Sequence, residues 1–472
     1  MTVADGQPPA RQGARFLIIP LIVSTGFLME AVDTNIITAS MPAIAGEFGV
    51  SPERLAIGIT AYIVAMALAM PLAGWVADRF GAKRVFICAI AVFTVASILC
   101  GLSQNLTQLV CARILQGAGA ALMTPVGRLI LLRSFGREDL VRAITWMTMP
   151  VLIGPMIGPL LGGFLTTYYS WRWIFFVNVP IGLLGALMAW RFVEDLPSRR
   201  PGAFDLRGFV VLGAGLVAFQ AAIEISAHSA APSYAVWLLL GASVVLLACF
   251  GSYAWGRKGA VLDLDLLRDR PFRSGVLFGG LSRIGMNAVP FLLQLKLQLA
   301  MGYTPFEAGA VVFVTAFGAI SLKPMTGWLL RRSGFRYLLS LNALIGAALV
   351  AGFALIGPGL PVAVTLVHIF VFGVVRSLQF NAINGLIYSE VDRARQSASV
   401  TLAGVAQQLS MGLGVSLSAA LLAQGLTTET AIFDRSFLAM SVVPLIAAAG
   451  FLLCLSNRDG AEASGFRRSA AR

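Results

Sequence analysis

Three ionisable residues stand where charge is costly: Glu30, Asp33 and Arg113 each lie inside a run of apolar residues. In hydrocarbon such a group normally faces a partner or a wet cavity. Glu30 and Asp33 are three residues apart and on a helix share a face. Asp33 sits about five residues from the outer end of its run and Arg113 about six from the outer end of its own, which at about 1.5 Å per residue is nearly one level. Arg113 is therefore expected to pair with Asp33 or Glu30. A carboxylate that gains and loses a proton as access alternates between two sides is what coupling to a proton gradient requires. The alternative is a permanent structural ion pair, and Glu30 reads equally as a second proton site or a cargo contact.

The remaining ionisable groups at this depth are few. Of 22 acids only Glu224, near an outer end, joins Glu30 and Asp33 inside the runs beyond their first two residues. Arg283 and Arg376 fall near the middle of theirs, with Asn287, Gln294, Gln379, Asn381 and Asn384 as polar neighbours. Together with Gln116, these are expected to line a substrate cavity whose apolar stacking surfaces are Phe27, Trp146 and Met147. For the amides, hydrogen bonding between helices is the alternative. Arg128 and Lys296 lie near run ends and are expected to snorkel, and Lys323 sits deeper, before Pro324. His368 is expected to be packed and hydrogen-bonded. Arginines at this depth outnumber acids unless some pair off, a balance that suits an anionic cargo.

The elements that must position these residues follow from composition. The 472 residues are 58% hydrophobic and 12% charged, where a soluble domain carries about a quarter, so the chain is an all-α integral membrane protein. A crossing needs roughly 20 apolar residues. The runs give fourteen spans, near 16–38, 54–75, 84–104, 107–131, 143–166, 173–193, 206–226, 234–255, 273–299, 306–330, 337–357, 361–389, 397–424 and 434–456. Arg11, Arg15 and the apolar run after them resemble a leader ending at Ala43-Ile44-Ala45, but the run is too long and carries Glu30 and Asp33.

The net charge of +13 does not point to nucleic acid, because Lys and Arg lie in short patches between apolar runs. Twenty-six of the 35 fall on one side of the spans and only Arg54, Arg172 and Arg435 on the other, which puts both termini in the cytoplasm. The five cysteines lie in or at the ends of apolar segments without a C-x-x-C pair and are expected to be free and buried, and His228 and His368 are too few for a metal site. Neither a clustered catalytic constellation nor a P-loop is present in the sequence, so neither an enzyme nor an ATP-driven pump is expected. No cofactor is expected either, the proton gradient supplying the energy.

An internal repeat organises the spans. Gly74-Trp75-Val76-Ala77-Asp78-Arg79-Phe80-Gly81 follows span two, and Gly327-Trp328-Leu329-Leu330-Arg331-Arg332-Ser333-Gly334 follows span ten. Span four carries Arg113-Ile114-Leu115-Gln116 and span twelve Arg376-Ser377-Leu378-Gln379. Both echoes fit two six-helix halves around a midplane site, with a tail at 1–15, bundles at 16–193 and 273–456, a two-span linker at 194–272 and a second tail at 457–472. Gly74 and Gly81 let a short loop turn tightly, and Asp78 can accept from a helix N-terminus or an Arg. Gly154, Gly158 and Gly162 form a smooth strip on span five, where Pro155 and Pro159 favour a bend that suits halves rocking on each other.

With these residues in hand the chain resembles the major facilitator superfamily, specifically its fourteen-helix drug:proton antiporter branch. Gly74 to Arg84 is similar to the family's loop signature, Arg113 to Ala121 to its helix-four signature, and Gly154 to Gly163 to its antiporter signature. Trp171 to Pro180 resembles the start of helix six, and Asp33-Thr34 before Met41-Pro42 the helix-one motif. Span nine, Arg376 to Asn384 and Gln407-Gln408-Leu409-Ser410 are similar to bacterial multidrug exporters without an assigned physiological substrate. The resemblance implies a major facilitator fold with two pseudo-symmetric halves and two inserted helices, working as a monomer in the bacterial inner membrane. It implies proton-coupled export of amphipathic small molecules by alternating access. By the same token Gly74, Asp78, Arg79, Gly81 and Arg84 latch one state, and Gly154, Pro155, Gly158, Pro159 and Gly162 set the direction of transport. A specific metabolite or organic-ion exporter or importer of the same fold is the second reading.

Overall fold

The computed structural model describes residues 14–135, 137–195, 202–226, 233–257, 259–322, 325–392, 395–423 and 430–461, and all regular structure among them is helical. The first bundle contains α1 (Ala14–Phe48), α2 (Pro52–Ala69), α3 (Leu72–Phe80), α4 (Ala82–Gly101), α5 (Leu106–Ser134), α6 (Arg137–Tyr168), α7 (Trp173–Phe176) and α8 (Asn178–Phe192). The pair α9 (Leu206–Ser226) and α10 (Ser233–Ala254) follows. The second bundle contains α11 (Arg270–Leu295), α12 (Pro305–Ser321), α13 (Thr326–Gly352), α14 (Val362–Tyr388), α15 (Gln396–Leu422) and α16 (Thr430–Cys454).

Twelve stretches among the described residues are long and apolar enough to cross a bilayer. Two further helices, α6 of 32 residues and α12 of 17, pack on each other where the bundles meet. The sequence ends span one at 38, but α1 runs through Pro42 to Phe48 and is 35 residues long. At about 1.5 Å per residue it is longer than a bilayer core of about 30 Å is thick, and in its last turn Glu47 accepts from the Trp171 indole at 2.6 Å and pairs with Arg172 at 2.7 Å. Expected span ten is likewise broken, since α12 stops at Ser321 and α13 starts at Thr326. The echoed loops share one backbone device: Gly81 has φ +90° and Gly334 φ +68°, a region that costs other residues strain.

Helix α1 packs on α6 and on α8, α5 on α2 and on α4, and α4 on α8, while α11 packs on α15 and α16, α13 on α14 and α16, and α12 on α14. Across the bundles, α6 meets α12 and α2 meets α15. We call the side where α1 begins and α16 ends the terminal face. On the opposite face the bundles are sealed. The Phe306 amide donates to Thr167 at 3.1 Å, Phe306 rests on Tyr168 with ring centroids 5.9 Å apart, and Gln298 donates to the Ala39 carbonyl at 3.0 Å. Backbones touch there because Gly163 lies against Pro305 and Phe306, and Gly309 against the Pro159 carbonyl, leaving no room for a Cβ.

The cysteines are free, as expected, but only Cys100 is buried, and Cys88, Cys111, Cys249 and Cys454 are exposed on the bundle exterior. An apolar run gives no sign of which helix face turns to lipid and which inward.

The two-helix insert is tied to both bundles at the terminal face. The Trp75 indole donates to the Gly202 carbonyl at 2.9 Å and lies 5.6 Å from the Phe204 ring. Next in the chain, Asp205 accepts from the Tyr253 hydroxyl at 2.6 Å and from the Val261 and Gly208 amides at 3.0 and 3.1 Å. Beyond α10, Asp263 pairs with Arg395 at 2.9 Å. Burial pushes the Asp205 carboxyl up, but the Tyr253 hydroxyl, these amides and the nearby Arg257 outweigh it and hold the group below its ordinary value. A depressed carboxyl stabilises the fold above its unfolded pKa, and the gain disappears as pH falls through the folded value, below about 4. Asp205→Asn is therefore expected to speed hydrogen exchange at Val261 and Gly208 several-fold near neutral pH, with the difference from wild type shrinking in that acidic window.

Candidate functional site

The expected pair forms between Asp33 and Arg113. The Arg113 Nη1 lies 2.5 Å from Asp33 Oδ2, and both side chains are fully buried. Two charges taken out of water need hydrogen-bond partners, and residues of α2, α4, α5 and α8 supply most of them, while the Arg113 Nη2 keeps none. Gln116 donates to Asp33 Oδ1 and to Ser97 Oγ, each at 2.8 Å, and accepts from Arg113 at 2.7 Å. The Arg113 Nε donates to the Gly58 carbonyl at 3.1 Å, and its guanidinium lies 4.2 Å from the centroid of the Tyr62 ring. Asn178 donates to Asp33 Oδ1 at 3.3 Å. Gln116, expected on a cavity wall, belongs to this buried network. Tyr62, Ser97 and Asn178 were not singled out by the sequence. For Asn178 a signal existed, an amide at the start of an apolar helix, within the Trp171 to Pro180 motif.

Glu30 turns elsewhere. It is half-buried, accepts from the Thr124 hydroxyl, and lines a cavity of about 430 Å³ between the bundles. Three residues on an α-helix span about 300°, so Glu30 and Asp33 point about 60° apart. That angle separates a group buried among α2, α4, α5 and α8 from one facing the opposite bundle. The cavity lies toward the terminal face, with Phe27, Thr124 and Arg128 on one wall and Asn384, Tyr388 and Gln407 on the other. Phe27 is therefore placed as expected. Arg128 does not snorkel: it lines the cavity, 5.7 Å from the Phe27 ring centroid.

Of the remaining cavity candidates, Asn384 alone is on the wall. Arg283 stands behind it and donates to Asn384 Oδ1 at 2.7 Å, and Arg376 donates to Asn287 Oδ1 at 3.0 Å. Gln379 is buried and accepts from Asn342 at 2.7 Å, a bond between helices. Gln294 is buried, Asn381 is half-buried away from the cavity wall, and Trp146 and Met147 pack into the apolar core. Their helical faces, which an apolar run does not reveal, put them there. Lys296, expected to snorkel, is fully buried: it pairs with Asp434 at 2.7 Å and donates to the Phe353 carbonyl at 3.1 Å. His368 packs on Phe353 and lies 2.9 Å from the Leu349 carbonyl through Nε2. Lys323 and His228 lie outside the described residues.

In the loop after α2, Asp78 accepts from Arg133 at 2.6 Å, so the acid links α3 to the end of α5. Arg79 covers the Trp75 ring at 5.3 Å, and Arg79 and Arg84 edge an exterior groove. Gly74 has open space around it. The strip of Gly154, Gly158 and Gly162 packs on Ala31, Asn35 and Ile36 of α1, within its own bundle. The sequence reading gave the strip a smooth, bendable helix that suits rocking halves, without placing it against either one. The helix presents Pro159 and Gly163 to α12 on an adjoining face. The Pro155 side chain lies outside the described residues.

A family model described as Major Facilitator Superfamily matches residues 23–415. A protein of Pectobacterium carotovorum subsp. carotovorum (strain PC1) named "Putative multidrug resistance protein MdtD" is 34% identical over 430 residues, covering 89% of this chain and 92% of that protein. Its namesake in Serratia proteamaculans (strain 568) is 35% identical over 447 residues, covering 91% and 92%. Among solved structures, a D-xylose-proton symporter superposes with TM-score 0.68 at 14% identity, covering 94% of this chain and 98% of that one. A bacterial homologue of the human lysosomal transporter Spinster, in an inward-facing and occupied conformation, gives 0.65 at 16% identity, covering 97% and 98%. The two structural likenesses speak to fold alone.

Removing one partner of a buried pair strands the other, at about 3–5 kcal/mol. Asp33→Asn and Arg113→Gln are each expected to lower stability by that order, and the double variant by clearly less than the sum, in unfolding followed by tryptophan fluorescence in detergent. Strictly additive losses would show that the two charges do not depend on each other.

Proposed function

This chain belongs to the major facilitator superfamily, and from that premise we propose that it is a proton-coupled antiporter exporting small amphipathic compounds by alternating access. The observation that carries the reading is the fully buried Asp33–Arg113 pair, on the same helix as a second acid, Glu30, that faces the cavity between the bundles. A carboxylate paired in a dry site and reached when the helices part can release a proton on one side and regain it on the other. The relatives named for multidrug resistance, about a third identical over most of the chain, support export of drug-like molecules.

In this reading fourteen helices cross the membrane: the twelve long apolar stretches together with α6 and α12. Residues 16–193 and 273–456 act as two pseudo-symmetric six-helix halves joined through the insert at 194–272, with tails at 1–15 and 457–472. The basic terminal face is cytoplasmic in the bacterial inner membrane. The cavity then faces inward and the seal of Gly163, Gly309 and Phe306 closes the outside. Asp33 and Arg113 are the coupling pair, and Glu30 is a second titratable group at the cavity. Asp78 with Arg133 latches the cytoplasmic loop, aided by Gly74, Arg79, Gly81 and Arg84. The Gly154, Gly158 and Gly162 strip holds α6 to α1, so that the two move as one when Pro159 and Gly163 slide on α12. Lipid, protons and the cargo are the partners of a monomer that works without a cofactor.

Cargo binding at a site linked to Asp33 displaces its proton. Weakly buffered, detergent-purified protein is expected to release about one proton per molecule bound when a panel of cationic, neutral and anionic amphipathic compounds is added. Asp33→Asn is expected to bind without release. Tight binding with no proton released by wild type would replace the antiporter with a facilitator or another coupling site.

A further inference from the structure

The second bundle holds two guanidiniums at membrane depth, Arg283 on α11 and Arg376 on α14, and among the described residues neither meets a carboxylate. Their hydrogen-bonded side-chain partners are neutral amides. Arg283 is 2% exposed, lies 4.9 Å from the Phe380 ring centroid, and keeps its Nε without a partner. Asn287, which accepts from Arg376, is 7% exposed and has an unpartnered Nδ2. Further along α11, Gln294 is 1% exposed, and neither of its amide atoms is paired. At 100° per residue, positions 283, 287 and 294 fall within about 40° of one helix face.

Unpaired polar atoms are expensive in a dry interior, and a charge without a counter-ion more so. On one face of one helix such a row is the expected form of a surface built for a ligand that brings the missing acceptors. The strip meets the cavity at Asn384, whose amide oxygen stands between the cavity and the Arg283 guanidinium. Among the described residues, the buried Lys296 farther along the same helical run is already matched by Asp434. Across the cavity, Glu30 and Arg128 line the same space and offset each other in charge. Phe27, Met70 and Met411 supply apolar wall for a hydrophobic body. The uncompensated charge thus belongs to the second bundle, and it is positive.

We infer that Arg283, Arg376 and the amides of Asn287, Gln294 and Asn384 form a recognition track for an anionic group of the cargo, a carboxylate or sulfonate carried on an apolar body. The inference rests on the exporter reading of the same cavity. Arginine suits the task because its planar fork offers two parallel donors to such a group. An entering anion displaces the Asn384 amide from Arg283, and Arg376 with Asn287 stands next along the helices.

The probes are 1-pyrenebutyrate, its methyl ester and the pyrenebutyl-trimethylammonium cation, which share one apolar body and differ in charge. Wild-type protein in detergent is expected to bind the carboxylate most tightly. Arg283→Gln is expected to weaken carboxylate binding roughly 10- to 100-fold, the loss of a charge-assisted hydrogen bond, with ester binding held within about twofold. Arg376→Gln acts in the same selective direction, and Arg283→Lys restores part of the loss because the charge returns without the fork. The track is overturned by wild-type protein that binds ester or ammonium as tightly as the carboxylate, or by both Gln variants keeping their carboxylate affinity. Equal loss of all three probes in the Gln and Lys variants also overturns it, since the arginine then serves folding. Proton release is read in the same samples. An ammonium probe that binds as tightly as the carboxylate and releases protons removes the track and leaves the exporter standing, whereas binding of any probe without release removes the exporter.

Discussion

A charge in hydrocarbon must be matched, and the arrangement of the first bundle follows from how Asp33 and Arg113 match each other. The carboxylate is on α1 and the guanidinium on α5, yet the pair persists only because α2 offers the Gly58 carbonyl, α4 offers Ser97 and α8 offers Asn178. Five helices are thereby fixed in register around one point. A shift of any of them by a turn, about 5.4 Å, leaves a charge or an amide bare at a cost of several kcal/mol. A shift of that size within the first bundle is consequently disfavoured.

The second bundle solves the same problem differently. Its inward arginines lean on amide oxygens, and a charge-matched buried cation, Lys296, sits at the sealed face and holds Asp434 and the end of α13. Neutral partners are weaker than carboxylates, so these arginines can exchange them at lower cost. One half fixes its charges and the other leaves them exchangeable. That division suits a machine in which one side keeps the proton and the other handles what is carried. The seal between the halves needs no charge at all: it rests on glycine against backbone carbonyl, a contact that forms or parts without stranding an ion.

Much of this was legible in the sequence, for physical reasons that also mark where it stopped. Apolar run length located the helices, since hydrocarbon thickness dictates it. It ended the first span ten residues short of the end of α1, because apolarity marks a crossing and the helix runs on past it. Depth matching nevertheless paired Asp33 with Arg113, because both were counted from where apolarity ends, which tracks the bilayer better than helix ends do. The repeat of Gly81 and Gly334 was visible because positive φ demands glycine. Direction around a helix was not legible. Glu30 and Asp33 looked alike until 60° separated a buried network from a cavity, and Trp146, Met147, Gln379 and four of the cysteines were misplaced for the same reason. Lys296 was missed because its partner Asp434 sits in a stretch that reads as loop-proximal.

The insert of α9 and α10 carries a consequence in its arithmetic. Its two helices run up and back, so a chain entering on one side leaves on the same side, and α11 starts as it would had the two never been there. A single extra crossing would turn the second half upside down and bring the wrong ends of α12 and α15 against α6 and α2. Such an addition can be gained or lost only as a hairpin. Held by Trp75 at one root and Arg395 at the other, this hairpin adds mass between the halves without changing the direction of anything that follows it.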